Sequence, residues 1–335
     1  MKKEASSWRT SLSSTVIASL KEEWQSHLLY AIRSPRRLWL LAMTVGVIFL
    51  PTSITTMASP STNTPVKIAL EWFLNPHHAP FIIAQTNGYF ADENLDVTFY
   101  PANGSQEGCR QALQGSVDFA ITHEPQVLIF AANGMPLETV AVIIPETLEV
   151  ILSTIPLDQL KGKTVAHGSS GAGSLTFAVM HQFLKNRGLT EGDVTIIMAK
   201  NCLVTGFITG TIDVVFNLYR TYQLHDIKKH MKRPFFVHEL KDFGVPSFAS
   251  MVLVCGAAVP AEVRLKMTRA LQKAVDFIHA NPDAAYECVR RHRAELDTLE
   301  NKDVWPSVRP IFAKDVTSRP STAELKDFLA DAGVM

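Results

Sequence analysis

The sequence predicts an α/β protein of two lobes with a central cleft and two crossings of the chain between them. Three observations lead there. From residue 66 onward, short apolar runs alternate with helical patterns, as in parallel sheets covered on both faces. The alternation pauses near residue 155 and then starts again. After the second series, one more apolar run at 247–256 precedes a long helical tail, the arrangement of a strand returning to the first lobe.

Taken in order, VKIAL at 66–70 is an apolar strand, and APFIIAQTNG at 79–88 is a helix. LDVTFY at 95–100 is the next strand, followed by a helix over 105–115 that stops at a glycine. VDFAI at 117–121 is a short buried strand, and 124–134 is a helix stopping at Gly134. Two strands follow, at 137–144 and 149–154. The second series reads as a short helix at 157–162, a strand at 163–168, a helix at 174–188, a strand at 193–199, a helix at 203–210 and a strand at 211–217. In the tail, Val263, Met267, Leu271, Val275 and Ile278 recur at helical spacing. The expected lobes are 66–152 completed by 247–335, and 155–245, after a linker at 59–65.

The 335 residues carry no net charge and are 47% hydrophobic, which excludes an intrinsically disordered chain. No long basic stripe is present, so a nucleic-acid partner is not expected. Four cysteines, at 109, 202, 255 and 288, are too few and too scattered for a disulfide scaffold or a zinc ribbon. A mean hydropathy of +0.09 directs attention to the N-terminal part. Residues 1–37 hold seven basic and three acidic side chains, whereas 38–335 hold 25 basic and 29 acidic. The basic flank ends at RSPRR, directly before LWLLAMTVGVIFL at 38–50, the order of an export signal. Residues 1–58 are therefore expected to be a basic leader with a signal peptide, cleaved after Thr56-Met57-Ala58, or an uncleaved membrane anchor through 38–54. A buried helix of a cytosolic domain is the alternative. The body would then lie in the periplasm or on the outer face of the inner membrane.

In open α/β sheets, ligands bind beyond the carboxyl ends of the strands. Four clusters occupy such places. EWFLNPHHAP at 71–80 offers Trp72 as a flat face, and Asn75 and His78 for in-plane hydrogen bonds. THEPQ at 122–126 offers His123 and Glu124. HGSSGAGS at 167–174 offers the hydroxyls and backbone N–H groups of Ser169, Ser170 and Gly171. NLYRTYQ at 217–223 offers Tyr219, Tyr222 and Gln223. Each cluster has an ordinary alternative: a loop packed by its own aromatics, a helix cap or a salt bridge within a lobe. No GxxxxGK[ST], GxSxG, HExxH or CxxC motif occurs. Adjacent His77 and His78 point apart, so no metal site is expected, and no cofactor.

LEWFLNPHHAPFIIAQTNGYF, ITHEPQVL, the YRTYQL stretch and the GVPSF stretch resemble the family that binds or makes the pyrimidine half of thiamine. One branch is the periplasmic binding proteins for formylaminopyrimidine-type precursors, which deliver to an ABC importer. The other is the fungal-type hydroxymethylpyrimidine phosphate synthase, on the same fold. The resemblance covers about residues 66–290 and implies a type II periplasmic-binding-protein fold. It also implies that Trp72, Asn75 and His78 face a pyrimidine, with Glu124 and the Ser169–Gly171 loop contributing. Gln223 stands where importer-type members carry glutamate, and Thr221 where they carry asparagine. The synthase branch consumes one of its own histidines and needs iron with a CCCFC motif. Here Gln126 occupies the histidine's place, and Val245, Pro246, Ser247, Phe248 and Ala249 span the cysteine motif. The expected function is capture of an aminopyrimidine for an importer permease. The alternatives are an enzyme acting on a small heteroaromatic compound and a binder of another molecule, such as a sulfonate.

Overall fold

The computed structural model describes residues 63–168, 174–199 and 202–335. The expected leader and its apolar segment at 38–54 lie outside them, as do Ser169, Ser170 and Gly171. Among the described residues, no helix is long and apolar enough to cross a membrane.

Two five-stranded sheets form the frame. The chain opens with β1 (Thr64–Leu70), α1 (Ala79–Thr86), α2 (Tyr89–Asp92), β2 (Leu95–Pro101), α3 (Ser105–Leu113), β3 (Phe119–Thr122), α4 (Glu124–Ala132) and β4 (Glu138–Ile144). It crosses to the second sheet with β5 (Glu149–Ser153), β6 (Thr164–His167), α5 (Leu175–Lys185), β7 (Thr195–Met198), α6 (Leu203–Thr209), β8 (Val214–Tyr219), α7 (Gln223–His230) and β9 (Phe236–Glu239). It then returns with β10 (Met251–Cys255) and ends in α8 (Ala261–Ala280), α9 (Pro282–His292), α10 (Leu299–Val308) and α11 (Ala323–Asp331).

The first sheet runs β2-β1-β3-β10-β4 and the second β7-β6-β8-β5-β9. β10 lies antiparallel between β3 and β4, and β5 lies antiparallel between β8 and β9. Each lobe therefore receives the strand that follows a crossing in the same place and sense. The two expected crossings are present, and the return strand at 251–255 fills the position read from its apolar run.

Three expectations are corrected, and one strand was not read from the sequence. β5 was assigned to the first lobe within 66–152, but it pairs Val150 with Leu218 and Ile151 with His238 in the second sheet. An apolar strand does not carry the identity of its sheet; its partners do. The short helix at 157–162 is instead a pair of turns, closed by Gln159 N–H to Pro156 O (3.1 Å) and Lys163 N–H to Leu160 O (2.9 Å). Six residues cannot offset the cost of helix nucleation, and Gly162 takes φ +74°. The edge strand β9 has only the short apolar run at 235–237, of which Phe236 and Val237 are exposed, and the sequence reading missed it. Finally, α11 buries Leu325 and Leu329 in a cluster with Phe183, Phe216 and Phe248, on the side of the second sheet, and not in the first lobe's core.

The first core packs β1, β3 and β10 against α1 and α8, where Met267, Ala270, Leu271, Ala274, Val275 and Ile278 form one buried stripe. Burying a large apolar side chain of this kind contributes roughly 1.5–3 kcal/mol.

Candidate functional site

A cavity of about 350 Å³ opens between the lobes at the strand ends. β1 ends at Leu70, and the backbone turns through Glu71, Trp72 and Phe73 into the cavity wall. The Trp72 and Phe73 rings lie 4.2 Å apart, centroid to centroid, and Phe73 is 48% exposed. Behind them Tyr222 packs edge-on against Trp72 at 6.3 Å. From β2 the loop Pro101–Gln106 supplies polar rim atoms, and from β3 come His123, Pro125 and Gln126. The opposite wall is Glu149 at the start of β5, Gly168 after β6, Ser174–Thr176 at the head of α5, Leu203, and Asn217, Tyr219 and Gln223 around the end of β8.

Why Trp72 faces the cavity follows from what its neighbours do. Asn75 caps a single turn at Pro76–His78: its Oδ1 accepts from His77 N–H (2.9 Å) and its own N–H donates to His78 Nδ1 (3.2 Å). Since Nδ1 accepts, Nε2 carries the His78 proton and donates to Glu71 Oε2 at 3.0 Å. Burial pushes the Glu71 carboxyl up, but its electrostatic and hydrogen-bond interaction with His78 outweighs that and holds the group below the usual carboxylate range. Asn75 and His78, expected as ligand contacts, are therefore spent on the turn that aims Trp72 and Glu71. Neither lines the cavity.

His77 reaches the other way, its Nε2 lying 2.8 Å from Thr221 Oγ1 in the second lobe. Burial and the neighbouring His78 depress its pKa to about 3, against an opposing pull from Glu71.

His123 follows β3 and precedes α4. Its Nδ1–H donates to Ser250 O at 2.7 Å, with the Tyr219 hydroxyl at 3.4 Å and Glu149 Oε1 at 3.9 Å. Glu149 Oε2 accepts from Ser250 Oγ–H (2.6 Å) and Leu148 N–H (3.0 Å). Burial raises the Glu149 carboxyl, opposed by His123 and by these donors. Glu124 was expected to contact ligand but turns away from the cavity. Its Oε2 accepts Ala249 N–H at 2.8 Å, tying α4 to the returning chain, and burial raises its carboxyl.

In the second lobe Asn217 sits within β8 at φ +66°, a left-handed conformation that an L-residue adopts at some cost. The β5–β8 register slips between Val150 and Leu152, opposite this residue, and Asn217 lines the cavity. Gln223 also lines it, with Oε1 accepting Tyr219 N–H at 2.9 Å. Tyr222, expected at the ligand, stands behind Trp72 with its hydroxyl 3.5 Å from Asn301 Oδ1.

Of the expected residues, Trp72, His123, Tyr219 and Gln223 meet around the cavity, while Asn75, His78, Glu124 and Tyr222 form its backing. Glu71, Phe73, Gln126, Glu149, Asn217 and the Pro101–Gln106 loop were not among the expected contacts. The loop was findable, because PANGSQ follows an apolar strand as the other clusters do. Among the described residues, no group of three His, Cys, Asp or Glu side chains is placed to hold a metal ion. Val245–Ala249, across the synthase cysteine motif, offer no thiolate, and Val245, Phe248 and Ala249 are buried in apolar contacts.

A family profile described as NMT1/THI5 like matches residues 75–285. A Haemophilus influenzae protein named for thiamine biosynthesis is 27% identical over 257 residues, covering 74% of this chain and 80% of its own. The formylaminopyrimidine-binding protein of Halalkalibacterium halodurans is 22% identical, over 77% of this chain and 80% of its own. The 4-amino-5-hydroxymethyl-2-methylpyrimidine phosphate synthase of Aspergillus parasiticus is 24% identical, over 75% and 77%. Among solved structures, the periplasmic aliphatic sulphonate binding protein of Escherichia coli superposes with a TM-score of 0.60 at 15% identity, over 83% of this chain and 89% of that one. The bilobed periplasmic-binding-protein fold is thereby shown.

Proposed function

Because the chain belongs to the NMT1/THI5-like family, we propose that it is an extracytoplasmic solute-binding protein that captures a thiamine-precursor pyrimidine for an ABC importer. The observation that carries this reading is the aromatic wall of Trp72 and Phe73 facing polar groups across an interlobe cavity. A flat heteroaromatic ring stacks on such a wall while His123, Asn217 and Gln223 meet its edge. Ligand that touches both lobes binds the closed arrangement better than the open one, so capture shifts the population toward closure about the two crossings. A permease that recognises the closed lobes then receives only loaded protein. No bond is broken in this scheme.

The synthase branch is the rival reading, favoured by the Aspergillus relative. Against it, Gln126 stands at the cavity where that branch uses a histidine, and an amide cannot supply imidazole atoms. Thermal-shift screening against aminopyrimidines, followed by calorimetry, tests the proposal. Binding without turnover supports it. No pyrimidine binding tighter than millimolar removes the ligand assignment; one equivalent of product per chain establishes the synthase reading, and product formed over many turnovers an enzyme of another kind. Mass spectrometry of co-purified ligand identifies the ring directly. Sequencing the mature N-terminus after fractionation tests the export proposal.

A further inference from the structure

The imidazole of His77 belongs to the first lobe, yet much of its cover comes from the second. It lies in the Pro76–His78 turn after β1 and is 2% exposed. Thr221 Oγ1 stands 2.8 Å from its Nε2, and the rings of Tyr219 and Tyr222 lie 5.4 and 6.2 Å away, centroid to centroid. All three residues end or follow β8. Tyr219 also lines the cavity, so the seal around His77 and the ligand site share a side chain. A rotation about the two crossings that parts the lobes strips this cover away and gives the ring to water. The charges nearby are mostly spent. In its own lobe, His78 already holds Glu71 Oε2, and α1 carries no titratable group. β8 and α7 bring Tyr219, Tyr222, His225, Asp226 and Lys229, with His123 behind Tyr219. α10 packs on the turn and brings Glu300, Lys302 and Asp303; Glu300 acts on the Tyr222 hydroxyl, and Asp303 pairs with Lys229.

With the lobes together, burial and then His78 hold the imidazole neutral, at a pKa of about 3 despite the pull of Glu71, whereas a ring in water titrates near 6.5. Between those values a proton binds the open form and not the closed one, so acid favours opening and closure expels the proton. We propose that His77 is a proton-operated latch between the lobes: neutral, it lets them close on ligand, and protonated, it holds them apart, so the chain releases its cargo as its surroundings acidify. The proposal rests on the reading of capture between two lobes but goes beyond it, since His77 does not line the cavity and acts whichever molecule fills it.

The test is calorimetry with 4-amino-5-hydroxymethyl-2-methylpyrimidine on the full chain and on His77→Asn, each at about pH 8 and about pH 5, with circular dichroism confirming the fold. Comparing the two chains cancels the titration of the ligand and of His123 and Glu149, which both chains share. At pH 5 the one proton favours the open form about 30-fold, and at pH 8 hardly at all. The affinity lost between pH 8 and pH 5 is therefore expected to be about 30-fold larger in the wild type than in His77→Asn. A difference below about threefold overturns the latch. Should His77→Asn not fold, wild-type calorimetry near pH 6.5 in two buffers of different ionisation enthalpy decides: about half a proton is released on binding, and no release overturns the proposal. A wild-type chain that binds no aminopyrimidine at pH 8 overturns the aminopyrimidine reading alone. Small-angle scattering of the ligand-free chain then tests the latch. A larger radius of gyration at pH 5 than at pH 8 supports it, and equal radii overturn it.

Discussion

Trp72 and His77 lie five residues apart and do opposite work: one faces the cavity, the other is sealed between the lobes. Trp72→Ala removes the stacking face, and calorimetry should show an affinity loss of roughly 1–3 kcal/mol, the usual value of a ring stacked on an aromatic. An unchanged affinity would take Trp72 out of the site. His77 yields a pH prediction. Its folded-state pKa of about 3 lies below the ordinary 6.5, so the unfolded chain binds more protons between those values. The stability it contributes is complete above pH 6.5 and is lost as pH falls toward 3. At pH 5 the loss is about 2 kcal/mol relative to pH 8, because only the unfolded chain is then protonated. Urea midpoints at the two pH values should show it, and His77→Asn should flatten the dependence. Trp72 and His123, read from the sequence as side chains that follow apolar strands, line the cavity. Asn75 and His78, read the same way, do not line it, because backbone capping and the Glu71 partnership take their polar atoms. Glu149 escaped notice because it begins its strand, inside the run LEVILS, where a carboxylate looks like a solvent-facing end.

Among elements, β8 carries the most site chemistry. Its bulge at Asn217 predicts a separable pair of variants. Asn217→Gly tolerates φ +66° and keeps the fold while losing the cavity side chain, so affinity falls with the denaturation midpoint near that of the wild type. Asn217→Val forces a β-branched residue into the left-handed region and should lower stability by roughly 1–3 kcal/mol. Equal midpoints for the two variants would show that the left-handed backbone is not a constraint. The order of most strands and helices was legible because apolar strands of four to seven residues alternate with helices. Sheet membership was not. β5 and β4 are similar apolar runs only a few residues apart, yet they join different sheets, a choice made by pairing partners distant in sequence. The edge strand β9 has no apolar face to announce it.

For the whole molecule, the lobes meet along one side through more than the two crossings. His77 bonds Thr221, Tyr222 packs on Trp72 and Phe73, and Lys229 Nζ lies 3.0 Å from Asp303 Oδ2. Thr221→Val leaves the buried His77 nitrogen without its partner and should cost about 1–3 kcal/mol in a denaturation experiment. Ligand acts in the opposite direction: an aminopyrimidine present at about 100 times its Kd should stabilise the folded chain by about 2.7 kcal/mol. A melting temperature that does not move with ligand would count against capture between the lobes.

The place of β10 has a consequence for how such a chain is made. It fills the slot between β3 and β4, yet it is encoded after the whole second sheet. A chain emerging from the ribosome N-terminus first therefore holds a first sheet with a gap at its heart until Cys255 has been synthesised. Cooperative closure of that lobe must wait for about three quarters of the polypeptide, so the first sheet stays incomplete while the whole second lobe is being made.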